Sequence, residues 1–180
     1  MIDDLLSQIQ KIETSTSLKK ISLSENERLI FNKACDFLSR REYSINELST
    51  KLSNKFPDQK KILIRNIVLK CEKHGYLSEE RYKEMIIKKL LKKGSSKIVI
   101  SKELSLHNIN VSDEEIDYFR DFLGLNQQDS IKALIEKKLR LIQNKESTKQ
   151  RESLMRFLLS KGYCYEEIKP LIDLYFNDHF

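Results

Sequence analysis

The stretch Phe37-Leu38-Ser39-Arg40-Arg41-Glu42-Tyr43-Ser44-Ile45-Asn46-Glu47-Leu48, running on to Leu52, reads as a helix end, a tight joint and a new helix start. Ser44 with Glu47 three residues later has the spacing of a capping box. The serine oxygen would accept from the Glu47 amide, and the glutamate would reach back to the Ser44 amide. Leu48 and Leu52 then fall one turn apart on a buried face. Arg40 and Arg41 stand at the corner with no such structural role. The spacing returns downstream. Ser96, Ile100 and Leu104 repeat Ser44, Leu48 and Leu52, with Lys92-Lys93 where Arg40-Arg41 stood. A weaker third corner runs from Gln143 to Lys149, followed by Leu154 and Leu158.

Outward from these corners the chain divides by helix punctuation. Ile2, Leu5, Leu6, Ile9 and Ile12 share one face of a short N-terminal helix, and residues 14–22 form a polar linker. A capping box at Ser24 and Glu27 opens a helix carrying Leu29, Ile30, Ala34, Phe37 and Leu38. After the helix from Ile45 to about Lys55 comes a joint at Pro57-Asp58. A third helix bears Ile62, Leu63, Ile67, Val68 and Cys71, and stops at His74-Gly75, where glycine suits the left-handed position. Ser78 restarts the cycle, with Tyr82, Met85, Ile86, Leu90 and Leu91 ending at Gly94. Ser112 with Glu115 opens a helix bearing Ile116, Phe119, Phe122 and Leu123, ending at Gly124. The last cycle carries Ile131, Leu134, Ile135, Leu139 and Ile142, then Leu154 and Leu158 up to Gly162, then Ile168, Leu171, Ile172, Tyr175 and Phe176. Pro170 either bends that last helix or marks its first turn.

A period of about 50 residues makes internal repetition the first thing to explain. The expected fold is all-α: three tandem three-helix repeats of helix-turn-helix type, over 23–77, 78–126 and 127–180. They form an elongated or curved array, preceded by a helix and linker over 1–22. Stacked units of this kind share their cores with neighbours. Four Gly and two Pro leave few tight turns for a β-rich fold. Hydrophobic residues at 39% and charged residues at 33% suit thin amphipathic layers.

The formal net charge is +6, a balance suited to an acidic partner such as nucleic acid or an acidic protein surface. The charge is concentrated. Residues 81–104 hold eight bases (Arg81, Lys83, Lys88, Lys89, Lys92, Lys93, Lys97, Lys102) and two acids (Glu84, Glu103). Residues 132–161 hold nine bases and three acids; between the two segments, residues 113–129 hold six acids and one base. Candidate contact residues for a protein or nucleic-acid partner are Arg40, Arg41, Arg81, Lys88, Lys89, Lys92, Lys93, Lys97 and Lys102. Tyr82 belongs to the core by helical spacing. Tyr43 and Tyr163 lie at joints, where exposure would let them stack on bases.

Catalytic chemistry is missing from the pattern. The four glycines are scattered and make no phosphate-binding loop. Cys71 and His74 have ligand spacing but no second pair for a zinc site. Cys71 therefore reads as core and His74 as a helix end. His107 and His179 lie at a joint and near the C-terminus, without evident partners. Glu79-Glu80 and Glu166-Glu167 sit at helix starts, where the helix dipole accounts for them. No enzyme activity, metal or cofactor is expected. The three cysteines (Cys35, Cys71, Cys164), the acidic N-terminus without an apolar run behind it, and the lack of a long apolar stretch lead to the expectation of a soluble, reduced, cytoplasmic protein.

The chain resembles the RecX family of bacterial recombinase regulators. Ala34, Phe37 through Ser44, Glu47-Leu48, Lys51-Leu52 and Gly75-Tyr76-Leu77-Ser78-Glu79-Glu80-Arg81-Tyr82 carry the resemblance most specifically. Lys92-Lys93-Gly94 to Glu103-Leu104 and Leu158-Leu159-Ser160-Lys161-Gly162-Tyr163 through Ile168 match more weakly, and coverage is about residues 27–176. The resemblance implies tandem three-helix repeats. It also implies a regulator that binds the RecA recombinase and its DNA filament, lies in the filament groove, and inhibits filament growth, ATP hydrolysis, strand exchange and co-protease action. It implies no catalytic residues. Single- and double-stranded DNA would be partners, bound weakly by the protein alone, and the protein would act as a monomer. The alternative reading is a stand-alone DNA-binding helical repeat protein of helix-turn-helix type.

Overall fold

The structure is a computed structural model that describes residues 25–177. The expected N-terminal helix and linker, and the Ser24 cap, lie outside the described residues. The described residues form nine helices and no strand: α1 (Glu25–Leu38), α2 (Ile45–Lys55), α3 (Lys61–Lys73), α4 (Glu79–Lys92), α5 (Lys97–Ser105), α6 (Asp113–Phe122), α7 (Gln127–Ile142), α8 (Ser147–Ser160) and α9 (Tyr165–Asn177).

Local chemistry starts these helices where the spacing indicates. Ser44, Ser78, Ser96 and Ser112 each accept a hydrogen bond from the amide three residues on, and Asn126 caps α7. The other half of the expected box at Ser44 is absent. Glu47 turns away to Arg41 instead, and Glu79 accepts from the Ile45 amide at 3.0 Å. Pro170 lies in the second turn of α9 and not its first.

Three apolar clusters follow, one for each run of three helices. The first gathers Ile30, Ala34, Phe37, Leu48, Leu52, Ile67 and Cys71; the second Tyr82, Ile87, Ile100, Leu104, Ile116 and Phe119; the third Ile131, Ile135, Leu154, Leu158, Ile168 and Ile172. The repeated apolar pair of each middle helix (Leu48/Leu52, Ile100/Leu104, Leu154/Leu158) is 0% exposed in all three. Substantial helix-on-helix packing occurs only within a run of three. Neighbouring units meet through their turns.

Those turns dock in a repeated way. The turn after the middle helix of one unit enters the corner before the middle helix of the preceding unit. At the first junction His107, just past α5, lies 3.1 Å from Ser44 Oγ and 3.0 Å from the Tyr82 hydroxyl. At the second, the turn after α8 presents the Lys161 carbonyl, which accepts from the Ser96 amide at 3.0 Å. Tyr163 donates its hydroxyl to the Gly94 carbonyl at 3.1 Å. Gly162, at φ +83°, packs so closely here that a Cβ would lie 2.3 Å from Ser96 Oγ. Gly94 meets Leu134 similarly, at 2.8 Å from where its Cβ would be. Only glycine satisfies both the positive φ and the close approach.

Three residues that the sequence leaves without an assigned contact find one here. His107 has two hydroxyl partners and ties two units together. Tyr43 and Tyr163 are 3% and 4% exposed, so neither offers a stacking face to a base. Both were drawn inward because the corners, which look like surface joints in sequence, are junctions.

Candidate protein and nucleic-acid interface

Five of the nine candidate contact residues have partners within the chain. Arg40 donates to Asp36 Oδ1 at 2.9 Å, and with Lys33 it holds the Asp36 carboxyl below the usual carboxylate range. Arg41 makes a two-pronged ion pair with Glu47, which raises the guanidinium pKa, and it stacks 3.7 Å from the Tyr43 ring centroid. Arg81 pairs with Glu42 at 2.7 Å and donates to the Gly75 and Tyr76 carbonyls, closing the end of α3. Lys88 pairs with Glu84 at 2.7 Å and sits over the Phe119 and Phe122 rings. Lys97 pairs with Asp117 at 2.5 Å. The corner arginines therefore do have a structural role, contrary to the expectation from sequence.

The acidic stretch between the two basic ones has the same explanation. Asp117 faces both Lys97 and Arg120, and Glu115 faces Lys83 at 2.7 Å and raises its pKa. α6 neutralises part of the charge of α4 and α5. Surface pairs of this kind contribute little each to stability. They also withdraw those cations from a partner.

Lys89, Lys92, Lys93 and Lys102 are exposed, and no carboxylate of the described residues lies within 4.0 Å of any of them. Arg81, Met85, Lys88, Lys89 and Lys92 line one shallow depression with Glu42 and Glu84. Lys92 and Lys93 continue into a second cleft, which adds Lys137, Lys138 and Lys161 from the third unit. A basic track therefore runs from α4 across the second junction. Lys97 and Lys102 line neither cleft. The sequence reading passed over Lys137, Lys138 and Lys161. Their signal was the second basic stretch, whose helix faces sequence alone did not relate to Lys92-Lys93.

Burial sets the other titratable groups of note. The Tyr82 hydroxyl, against His107, is pushed up to about 12 by desolvation, and the buried Cys71 thiol to about 11. Cys71 is thus an inert core group, as its spacing implied. Among the described residues no cluster of His, Cys, Asp or Glu could hold a metal ion, and no helix is long and apolar enough to cross a membrane.

Helices in threes, corners that dock on one another and a lysine track across a junction define an all-α repeat protein of helix-turn-helix-type units with a basic surface. Comparisons place it more narrowly. A family model described as RecX, third three-helix domain, matches residues 126–172. The Regulatory protein RecX of Vibrio vulnificus is 30% identical over 144 residues, covering 76% of this chain and 86% of that protein. The Regulatory protein RecX of Haemophilus influenzae is 27% identical over 145 residues, covering 80% of this chain and 93% of its own length. The crystal structure of RecX from Lactobacillus salivarius shares the fold, with a TM-score of 0.59 at 20% identity over 84% of this chain and 97% of that one. The chain belongs to the RecX family, whose members are regulatory proteins.

Proposed function

We propose that the protein binds the RecA recombinase and its DNA filament and restrains the filament: its growth, its ATP hydrolysis, strand exchange and co-protease activity. Membership of the RecX family supports the target. One observation supports the mode of engagement: among the described residues Lys89, Lys92 and Lys93 have no carboxylate partner, and they lie along a track that continues over the next junction. Phosphates or acidic side chains of a filament would supply the missing counter-charge. Arg40, Arg41, Arg81, Lys88, Lys97 and Lys102 contribute to the field, but all except Lys102 already serve the fold. The protein acts as a binding module, as a monomer in the cytoplasm, and performs no catalysis.

The test measures DNA-dependent ATP hydrolysis and filament disassembly by the cognate recombinase, with wild type and with a Lys89→Glu, Lys92→Glu, Lys93→Glu variant. Sub-stoichiometric wild type slows hydrolysis and shortens filaments, and the variant loses most of both effects. Equal activity of the two proteins would reject the lysine track. Inactivity of the wild type in both assays would reject the recombinase reading. Tight binding to DNA alone with a steep salt slope, each lysine contributing about one unit of that slope, would favour the stand-alone DNA-binding alternative.

A further inference from the structure

The cleft at the second junction has a chemistry that a plain phosphate contact does not explain. Its volume is about 780 Å3, within the range of ligand-sized clefts. Its lining includes the aliphatic side chains of Leu91 from α4 and of Ala133, Leu134 and Leu141 from α7. Leu141 is 75% exposed, the most of any large apolar side chain described. Five lysines share this lining: Lys92 and Lys93 from the second unit, Lys137 and Lys138 from α7, and Lys161 from the turn after α8. None of the five has a carboxylate of the described residues within 4.0 Å. The single acid on the lining, Asp129, is occupied with Lys132 at 3.9 Å.

We propose that this cleft is a docking site for an acidic, amphipathic segment of a partner protein, its apolar side chains seated on Leu134 and Leu141 and its carboxylates on the lysine rim. Charge complementarity decides the sign of the occupant, and the exposed aliphatic side chains decide its kind. Proteins that bind single strands combine a basic groove with aromatic faces on which the bases stack. The only aromatic lining the cleft is Phe157, and Lys138 and Lys161 already sit 5.4 and 5.8 Å from its ring centroid. Apolar anchors ringed by charge are the usual make-up of a helix-in-groove contact. The cleft shares Lys92 and Lys93 with the recombinase reading, but the test contains no recombinase, so the two readings fail separately.

The probe is a fluorescein-labelled peptide with Leu and Phe on one helical face and Glu on the other, titrated with the full chain by fluorescence anisotropy. A scrambled peptide of identical composition and an unlabelled oligothymidylate are the comparison ligands. The amphipathic peptide is expected to bind at least about tenfold more tightly than the scrambled one. Leu141→Glu and Lys137→Glu, both at exposed positions that the fold tolerates, should each weaken it about tenfold. Lys55→Glu, at an exposed position in the first unit and outside the cleft, should leave the affinity unchanged. Equal binding of the scrambled peptide, or indifference to Leu141→Glu, would reduce the cleft to a non-specific cation patch and overturn the proposal. Displacement of the peptide by oligothymidylate at comparable concentration would assign the cleft to nucleic acid and overturn it equally.

Discussion

Two glycines with nearly the same backbone conformation make opposite demands on their surroundings. Gly75 and Gly162 both end a helix with positive φ, +71° and +83°. A Cβ on Gly75 would meet nothing within 4 Å, whereas one on Gly162 would enter the Ser96 side chain. Gly75→Ala is therefore expected to carry only the left-handed penalty, about 1–2 kcal/mol. Gly162→Ala adds a collision at the junction and the displacement of the Tyr163–Gly94 hydrogen bond, raising the loss to about 3–4 kcal/mol. Urea unfolding of the two variants against wild type measures the difference. Similar midpoints would mean that the junction opens at little cost.

Helices were the most legible level of the chain. Repeated apolar pairs four residues apart marked the three middle helices, and the serine caps marked where helices start, because both signals act within a few residues. Contacts made across a junction had no such local signature. Glu79 sits at a helix start that the dipole explains, yet its carboxylate accepts from the Ile45 amide 34 residues earlier in the chain. His107 read as a lone joint residue because its partner Ser44 lies 63 positions away. For the same reason Lys137, Lys138 and Lys161 are not among the contact residues expected from sequence. The clusters do not merge across junctions, so each run of three helices gains most of its stability internally. Leu158→Ala removes a side chain that is 0% exposed and should cost about 2–5 kcal/mol. Hydrogen exchange should report the loss first in α7 to α9, with α1 to α3 keeping their protection. Uniform loss over all nine helices would show instead that the array unfolds as a single cooperative body.

At the scale of the whole molecule, the docking rule has an end. The corners at Ser44 and Ser96 are each occupied by the next unit. The third corner, Gln143 to Lys149, is exposed throughout, and its capping position holds Glu146, whose side chain makes no cap hydrogen bond. Gln150 closes this corner from within by donating to the Gln143 and Lys145 carbonyls. At the other end, the turn after α2 is Phe56-Pro57-Asp58-Gln59-Lys60, with neither the histidine nor the glycine that fills the two working junctions. Among the described residues a second copy thus finds no serine-capped corner and no matching turn left open, and sedimentation velocity should show one species of 21.3 kDa across a wide concentration range. A concentration-dependent series of larger species would mean that the open corner accepts another molecule. A serine in place of Glu146 would give the third corner the cap of the two working joints, and the joint that strings three units together would then have a seat for a further molecule, the starting point of a fibre. With Glu146 there, the proposed monomer would be a particle of fixed length, suited to lie along a polymer without becoming one.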